Sequence, residues 1–180
     1  MQIEKTPLKD CLLIKPTMFE DHRGLFLETY HRRRLADFSG IDAEFVQDNQ
    51  SMSHYGVLRG LHYQQGEFAQ TKIVRVIHGK VLDVVVDLRP DSPSFKKTFS
   101  VILDDENLFQ LYVPKGFGHG FVTLSKRSVF AYKCDHYYTP GSEAGIRYND
   151  PDLNIDWNFP EDQMILSDKD KGLPFLKDVF

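Results

Sequence analysis

The sequence predicts an all-β protein: a double-sheet jelly roll or barrel with a few short peripheral helices. Short runs in which apolar and polar residues alternate have the side-chain period of a β-strand. Turn-forming clusters of Gly, Pro, Asp, Asn and Ser separate these runs about every ten residues, a spacing typical of sandwiches and barrels. An antiparallel array of this kind protects its edges by curling up, and the mouth of the resulting barrel is a common place for a small ligand.

The clearest strand signal is a hairpin in the middle of the chain. Two interleaved faces alternate in 81-VLDVVVDL-88, where one face carries Asp83 and Asp87 among valines. Gly79 and Lys80 predict the tight turn that joins this strand to the preceding run, 73-IVRVIH-78. Further strands are predicted at 98–103, 108–113, 120–124 and 128–134, and short helices at 31–38, closed by Gly40, and after Ser167.

Length and composition indicate one compact domain, residues 1–180. The chain is 41% hydrophobic and 27% charged with a net charge of -4, which argues against a general nucleic-acid or membrane surface. Two cysteines, Cys11 and Cys134, are too few for a disulfide framework and favour a reducing compartment. With no apolar signal segment in MQIEKTPLKD, the expected location is the cytoplasm.

The stretch 56-GVLRGLHYQ-64 places two polar side chains, Arg59 and His62, in a predicted core strand. On a regular strand they would point to opposite faces. Gly60 lies between them, and an isolated glycine in a strand often marks a bulge that redirects its neighbours. The alternative is that Arg59 extends into solvent while His62 is a hydrogen-bonded core residue.

A second histidine follows a glycine-rich segment, 114-PKGFGHGF-121, which predicts His119 in a turn ahead of a strand. The PxGxxH pattern resembles the second motif of the cupins, jelly-roll proteins whose histidines often bind a metal. Cupin metal sites usually also take an HxH pair, whereas His62 is followed by Tyr63 and Gln64. Two histidines without a third protein ligand make a poor transition-metal site, so neither a metal nor a cofactor is expected.

The remaining polar residues suit proton transfer next to a carbonyl group. In this scheme a neutral histidine is the base, a cation stabilises the oxyanion as an enolate forms, and Tyr132 is a candidate to supply a proton from the opposite side. The histidines and cations concerned are His62, His119, Lys72, Arg59 and Arg75. A histidine base needs a partner on its second nitrogen. Asp170 is a candidate; the alternative is that 167-SDKD-170 is a solvated acidic tail.

The N-terminal third contains a second group of polar and aromatic residues. Phe26 and Glu28 share a face of the run that follows the 21-DHRG-24 turn, and Gln47, Asn49 and Ser51 share a face of 45-FVQDNQS-51. Such residues can recognise a nucleobase while an arginine binds phosphate. The alternative is an edge strand with polar outward positions.

Taken in order, eight strings resemble the dTDP-4-dehydrorhamnose 3,5-epimerases, from about residue 3 to about residue 176. They are FEDHRGLFLE, VQDNQS, GVLRGLHYQ, QTKIVRV, GKVLDVVVDLRPDSP, ENLFQLYVPKGFGHGF, AYKCDHYYTPGSEAGIRYNDPDLNIDW and LSDKD. The resemblance implies a cofactor-independent, metal-free isomerase with a jelly-roll fold and a homodimeric assembly. Its substrate would be dTDP-4-dehydro-6-deoxyglucose, inverted at C3 and C5.

The resemblance also implies roles for individual residues. His62 matches the family's base, Asp170 the acid that orients it, and Tyr132 the proton donor, while Lys72 lies near the keto oxygen. The matching substrate-binding positions are Arg59 and His119 at the sugar and diphosphate, Tyr138 stacked on thymine, Arg23, Glu28, Gln47, Asp48 and Asn49 at the nucleotide with Phe19 and Phe26 close by, and Glu143 and Lys169 as further contacts. In the family the N-terminal strand is exchanged across the dimer, which would bring Arg23 and Glu28 to the neighbouring subunit's pocket.

Three alternatives remain open from the sequence. Asp168 lies two positions before Asp170, and only the family pattern favours the latter as the partner of His62. A relative that inverts one carbon only, or that acts on another 4-keto nucleotide sugar, would share nearly all these residues. A non-catalytic sugar-binding domain could be built on the same barrel.

Overall fold

A computed structural model describes residues 1–180 and contains two antiparallel sheets and a separate hairpin, which confirms the all-β prediction. The strands are β1 (Gln2–Lys5), β2 (Leu12–Lys15), β3 (Met18–Asp21), β4 (Gly24–Leu27), β5 (Gln47–His54), β6 (Leu58–Gln64), β7 (Lys72–His78), β8 (Lys80–Asp87), β9 (Thr98–Asp104), β10 (Gln110–Val113), β11 (Phe117–Thr123), β12 (Arg127–Cys134) and β13 (Glu143–Gly145). The large sheet has the order β1-β2-β10-β7-β12-β5, and the small sheet has the order β13-β6-β11-β8-β9. Strands β3 and β4 pair only with each other.

The two sheets face each other across a hydrophobic core. Val74, Val76 and Phe130 of the large sheet pack with Val85 and Phe121 of the small sheet. The other face of the small sheet is covered by the C-terminal region in a second cluster that includes Trp157. Strand β8 is therefore buried on both faces, which explains its near-continuous run of valines. Each such side chain contributes about 1.5–3 kcal/mol by leaving water.

The helices are short and peripheral. Helix α1 (Arg32–Ser39) places Leu35 against the outer face of the large sheet, and the ring of His31 accepts a hydrogen bond from the backbone N–H of Arg34 at the helix N-terminus. Helix α2 (Asp168–Lys171) follows Ser167. Single turns of 3₁₀ helix occur at Gly66–Phe68, Pro140–Ser142, Glu161–Gln163 and Leu176–Asp178. No helix has both the length and the apolar character that a membrane span needs.

Two local predictions are wrong. Gly79 and Lys80 do not close a hairpin, because β7 pairs with β10 and β12 in the large sheet while β8 pairs with β9 and β11 in the small sheet. The turn instead carries the chain from one sheet to the other.

The second concerns His119, which lies within strand β11 and not in a turn before it. The reason is the close approach of neighbouring strands. A Cβ atom on Gly118 would lie 2.8 Å from Cγ1 of Val86, and one on Gly120 would lie 2.7 Å from the carbonyl oxygen of Arg59. These glycines let β11 pack tightly between β8 and β6, so they serve strand packing and not a turn.

Candidate active site

A cavity of about 330 Å³ opens between the two sheets. Both sheets, the segment after β12 and helix α2 contribute to its walls. The lining residues that the sequence had singled out as site residues are Arg59, His62, Lys72, His119, Tyr132, Tyr138, Glu143, Lys169 and Asp170. The geometry therefore brings into one hollow the four residues proposed for chemistry and five of those proposed for binding.

A bulge at Gly60 explains how Arg59 and His62 reach the same cavity. The backbone of Gly60 has φ +127°, and the register between β6 and β11 shifts where His119 pairs with His62 and Phe121 pairs with Arg59. A Cβ atom at Gly60 would lie 2.5 Å from Cα of Gly120, so only glycine fits. The bulge predicted from the sequence is confirmed. Arg59 is also held by a hydrogen bond from its Nε to the hydroxyl of Ser53, at 3.0 Å.

His62 is in contact with a buried carboxylate. Its Nε2 lies 2.5 Å from Oδ1 of Asp170, although neither atom has an aligned hydrogen-bond partner, so the contact is close but bent. The second oxygen of Asp170 accepts a hydrogen bond from the Ser167 hydroxyl at 2.6 Å. Asp168, the alternative partner, is fully exposed and reaches only Lys171, at 4.0 Å.

The environment of Asp170 favours its ionised form. Burial by itself opposes ionisation, but the close contact with the His62 ring and the hydrogen bond from Ser167 outweigh it and hold the pKa of Asp170 below its ordinary value. Asp170 is therefore an anion at neutral pH, and it can hold one nitrogen of His62 as a donor.

Lys72 and Tyr132 come from neighbouring strands of the large sheet. The Lys72 ammonium has no hydrogen-bond or ion-pair partner in the chain and lies 5.8 Å from the centre of the Tyr132 ring. Burial lowers the pKa of Lys72, and burial raises the pKa of the Tyr132 phenol. An unpaired, half-buried cation beside a protonated phenol is suited to an anion that forms within the cavity.

His119 pairs with a different carboxylate. Its Nε2 lies 2.8 Å from Oδ2 of Asp83, and both residues are buried. The two cavity histidines thus each contact an aspartate of their own. No group of three or more His, Cys, Asp or Glu side chains is arranged to hold a metal ion.

Three residues form a bridge at the rim of the cavity. The Tyr138 hydroxyl donates to Oε2 of Glu143 at 2.6 Å, and Nζ of Lys169 lies 2.5 Å from the same oxygen. Burial opposes ionisation of Glu143, yet hydrogen bonds from Lys169 and Tyr138 hold its pKa below its ordinary value. The hydrogen bond to Glu143 in turn raises the pKa of Tyr138. Tyr138 is exposed and presents its ring to solvent at the mouth.

The residues at the start of β5 divide between the two faces of the large sheet. Gln47 accepts a hydrogen bond from the backbone N–H of Tyr138 at 2.9 Å and donates one to Asn49 at 3.0 Å. Both therefore lie near the rim residue Tyr138, but neither lines the cavity itself. Asp48 points to the outer face and pairs with Lys133 at 2.9 Å. The three residues therefore do not share one face of β5.

The β3–β4 hairpin lies apart from the cavity. Phe19 and Phe26 are 59% and 70% exposed. Arg23 pairs with Asp21 at 2.6 Å, and Glu28 pairs with Arg34 at 2.9 Å. None of the four expected site residues Phe19, Arg23, Phe26 and Glu28 lines the cavity of its own chain.

Several cavity residues escaped the sequence reasoning. They are Gln50, Tyr63, Gln64, Gln70, Phe121, Phe130 and Ser167. Ser167 carried a usable signal, because a serine directly before a short acidic helix is a typical N-cap. Its hydroxyl accepts from the backbone N–H of Asp170 while donating to that residue's carboxylate. Gln64 carried no such signal, because the groups that donate hydrogen bonds to its side chain belong to Thr139 and Ser142, which are distant in sequence.

The fold and the cavity define a jelly-roll enzyme of the cupin type, with acid–base groups facing a small-molecule pocket. The family model for dTDP-4-dehydrorhamnose 3,5-epimerase matches residues 5–178. The chain belongs to the dTDP-4-dehydrorhamnose 3,5-epimerase family and is an isomerase of the epimerase type.

Individual relatives support this assignment. The chain is 47% identical over 174 residues to the dTDP-4-dehydrorhamnose 3,5-epimerase of Escherichia coli K12, which covers 96% of this chain and 93% of the relative. The crystal structure of the Elizabethkingia anophelis enzyme matches with a TM-score of 0.96 and 52% identity over 99% of this chain and 98% of that one.

Two further structures contain ligands. The Legionella pneumophila epimerase in complex with dTDP-4-keto-L-rhamnose has a TM-score of 0.95 and 46% identity, over 99% of this chain and 94% of that one. A 3'-monoepimerase from Streptomyces bikiniensis in complex with dTDP-quinovose has a TM-score of 0.88 and 33% identity, over 96% of this chain and 86% of that one.

Proposed function

We propose that this chain inverts C3 and C5 of dTDP-4-dehydro-6-deoxy-D-glucose to give dTDP-4-dehydro-L-rhamnose. The observation that carries the proposal is the combination, within one cavity, of a His62–Asp170 pair and the unpaired ammonium of Lys72. The printed names of the relatives and the sugar nucleotide bound to the Legionella enzyme supply the substrate class.

The first step is proton abstraction from the carbon next to the C4 ketone. Because Asp170 contacts Nε2 of His62, that nitrogen keeps its hydrogen and Nδ1 takes the proton from carbon. The electron pair of the broken C–H bond moves into the enolate, whose oxygen gains negative charge. The Lys72 ammonium stabilises this oxyanion, and its stabilisation is larger than in water because the site is half-buried.

The second step delivers a proton to the opposite face of the same carbon. Tyr132 is the donor in this proposal, and burial supports the role because it keeps the phenol protonated until the enolate forms. After each inversion His62 returns its proton to solvent and Tyr132 regains one. The C4 ketone acidifies the hydrogens on both neighbours, so one base and one oxyanion site serve C3 and C5 in turn.

Binding of the nucleotide occurs at the rim and the adjoining wall. Arg59 and His119 contact the sugar and diphosphate, and Tyr138 stacks on the thymine ring with Glu143 and Lys169 beside it. Gln47 and Asn49 lie next to Tyr138 and complete this side of the base site. We assign Asp48 a lesser part, since its side chain faces away from the cavity.

The active assembly is a homodimer in which the N-terminal strands are exchanged. The exposed aromatic rings of the β3–β4 hairpin support this, because apolar side chains of this size are normally covered. In the dimer Phe19, Arg23, Phe26 and Glu28 enter the partner's cavity.

Subunit mixing tests the exchange. An Arg23→Ala chain and a His62→Ala chain, each inactive alone, are expected to recover about a quarter of wild-type activity after co-refolding, because random pairing gives one intact site in half of the dimers. The control is co-refolding of either singly substituted chain with a chain that carries both substitutions, which leaves no intact site. If each cavity used its own hairpin, the mixture would stay inactive.

Solvent hydrogen exchange tests the reaction itself. With the 4-keto sugar nucleotide in deuterated water, proton NMR is expected to show deuterium at both C3 and C5 as product forms. Deuterium at one position only would reject double epimerisation in favour of a single-carbon epimerase, which the similarity to the Streptomyces monoepimerase makes the second candidate. Binding without exchange at either carbon would indicate a non-catalytic sugar-binding protein.

A further inference from the structure

Strand β8 carries two aspartates that are completely buried, Asp83 and Asp87, both 0% exposed. Asp87 is fully satisfied. It accepts two hydrogen bonds from the Arg89 guanidinium at 2.9 Å, and one each from the hydroxyls of Ser92 and Ser94 at 2.5 and 2.6 Å. These partners all lie in the loop after β8, so Asp87 organises that loop.

Asp83 has a different environment. Its one side-chain partner is Nε2 of His119, and its Oδ1 has no hydrogen-bond partner at all. A buried carboxylate with an unsatisfied oxygen costs free energy compared with an apolar residue. The neighbours on the same face of the strand are Val81 and Val85, and a valine at position 83 would pack there without that cost. Asp83 therefore reduces stability, and its benefit must come from His119.

His119 is well placed to use such a partner. It pairs across the sheet with His62, its ring stacks on Phe130 with the centroids 5.9 Å apart, and it lines the cavity. A carboxylate only accepts hydrogen bonds, so Asp83 requires the hydrogen to be on Nε2. Nδ1 has no protein partner. In the neutral ring it is then an acceptor, which suits a hydroxyl group of a bound sugar.

We propose that Asp83 is a positioning residue that fixes the ring orientation and tautomer of His119, so that Nδ1 is presented to a sugar hydroxyl of the substrate. The inference rests on the proposed function for its ligand. The cavity then contains two His–Asp pairs: His119–Asp83 binds and orients the substrate, and His62–Asp170 transfers the proton.

A double-mutant cycle tests whether Asp83 acts through His119. Asp83→Asn alone is expected to lower kcat/KM by about tenfold to 100-fold, the range of coupling within one hydrogen-bond network. In a His119→Ala background the same substitution is expected to change kcat/KM by no more than about twofold. If Asp83→Asn lowered kcat/KM as much in the His119→Ala background as in the wild type, Asp83 would act independently of His119, and the proposal would be overturned. If turnover is absent, the cycle is run on the Kd of the dTDP-sugar.

Asp87 provides a matched control on the same strand. Asp87→Asn is expected to lower the Tm while leaving kcat/KM of the folded protein nearly unchanged, whereas Asp83→Asn is expected to do the reverse. Nitrogen NMR of the histidine rings tests the tautomer in the unmodified protein and requires neither a variant nor turnover. Hydrogen on Nε2 of His119 supports the proposal; hydrogen on Nδ1 alone contradicts it, whatever the outcome for epimerisation.

Discussion

His62→Ala is expected to lower kcat by about 10³- to 10⁴-fold, at the upper end of the range for a lost general base. The Kd for dTDP is expected to remain within a few-fold of wild type, because the base acts on the transition state and the nucleotide contacts lie at the rim. Single-turnover kinetics and calorimetric titration with dTDP measure the two quantities separately. The same variant should lose deuterium exchange at both carbons, since one imidazole serves both.

A strand histidine outside the cavity provides the control. His54 lies at the exposed end of β5 and lines no part of the site, so His54→Ala is expected to retain wild-type turnover. Thermal unfolding decides between the catalytic and structural interpretations of His62. If His62→Ala mainly lowered the Tm and the remaining folded protein turned over normally, His62 would be a core histidine after all.

Lys72→Met has the second-largest expected effect, a loss of about 10²- to 10³-fold in kcat, typical of removing one oxyanion-stabilising group. Methionine preserves much of the length and apolar contact of lysine but removes the charge. Stability is expected to be unchanged or higher, because the ammonium has no partner in the chain and burial disfavours it. A lower Tm together with unchanged kcat would contradict the assignment.

The alkaline limb of the pH profile should report the same group. Burial lowers the pKa of Lys72 from 10.5, and the charged form is the active one, so the rate is expected to fall as pH rises through this lowered value. The folded chain binds this proton less tightly than the unfolded chain, so Lys72 makes stability rise with pH up to about 10.5. Lys72→Met should lack that contribution. Lys80→Met is the control for the rate: Lys80 is exposed on β8 and lines no part of the cavity, so the pH profile of the rate should be unchanged in that variant.

Local patterns in the chain predicted much of the fold. Alternation over 81–88 correctly predicted strand β8, and Gly40 marked the end of α1. Gly79 marked a turn, but this turn crosses from the large sheet to the small sheet and does not close a β7–β8 hairpin. The glycine between Arg59 and His62 predicted the bulge that lets both line one cavity. Such features depend on the backbone preferences of a few adjacent residues, so one sequence suffices to find them.

Other features depended on contacts between distant parts of the chain. The residues near position 119 do not distinguish a glycine-rich turn from a strand packed closely between β6 and β8. The sequence therefore predicted a turn where the structure has strand β11. Strand alternation already separated Asp48 from Gln47 and Asn49, but only the structure shows that Asp48 pairs with Lys133 of the adjoining strand. Ser167 was noticed only as a boundary, because its hydrogen bond to Asp170 is a matter of side-chain geometry.

The sequence by itself determined the class of fold and the chemical types of the candidate site residues, because strand period, turn composition and side-chain chemistry are properties of short segments. Only the tertiary structure decided that Asp170 contacts His62 while Asp168 lies in solvent, and that Asp83 is confined to His119. Those pairings join residues 36 to more than 100 positions apart, and sheet register and packing, not local pattern, bring their atoms together.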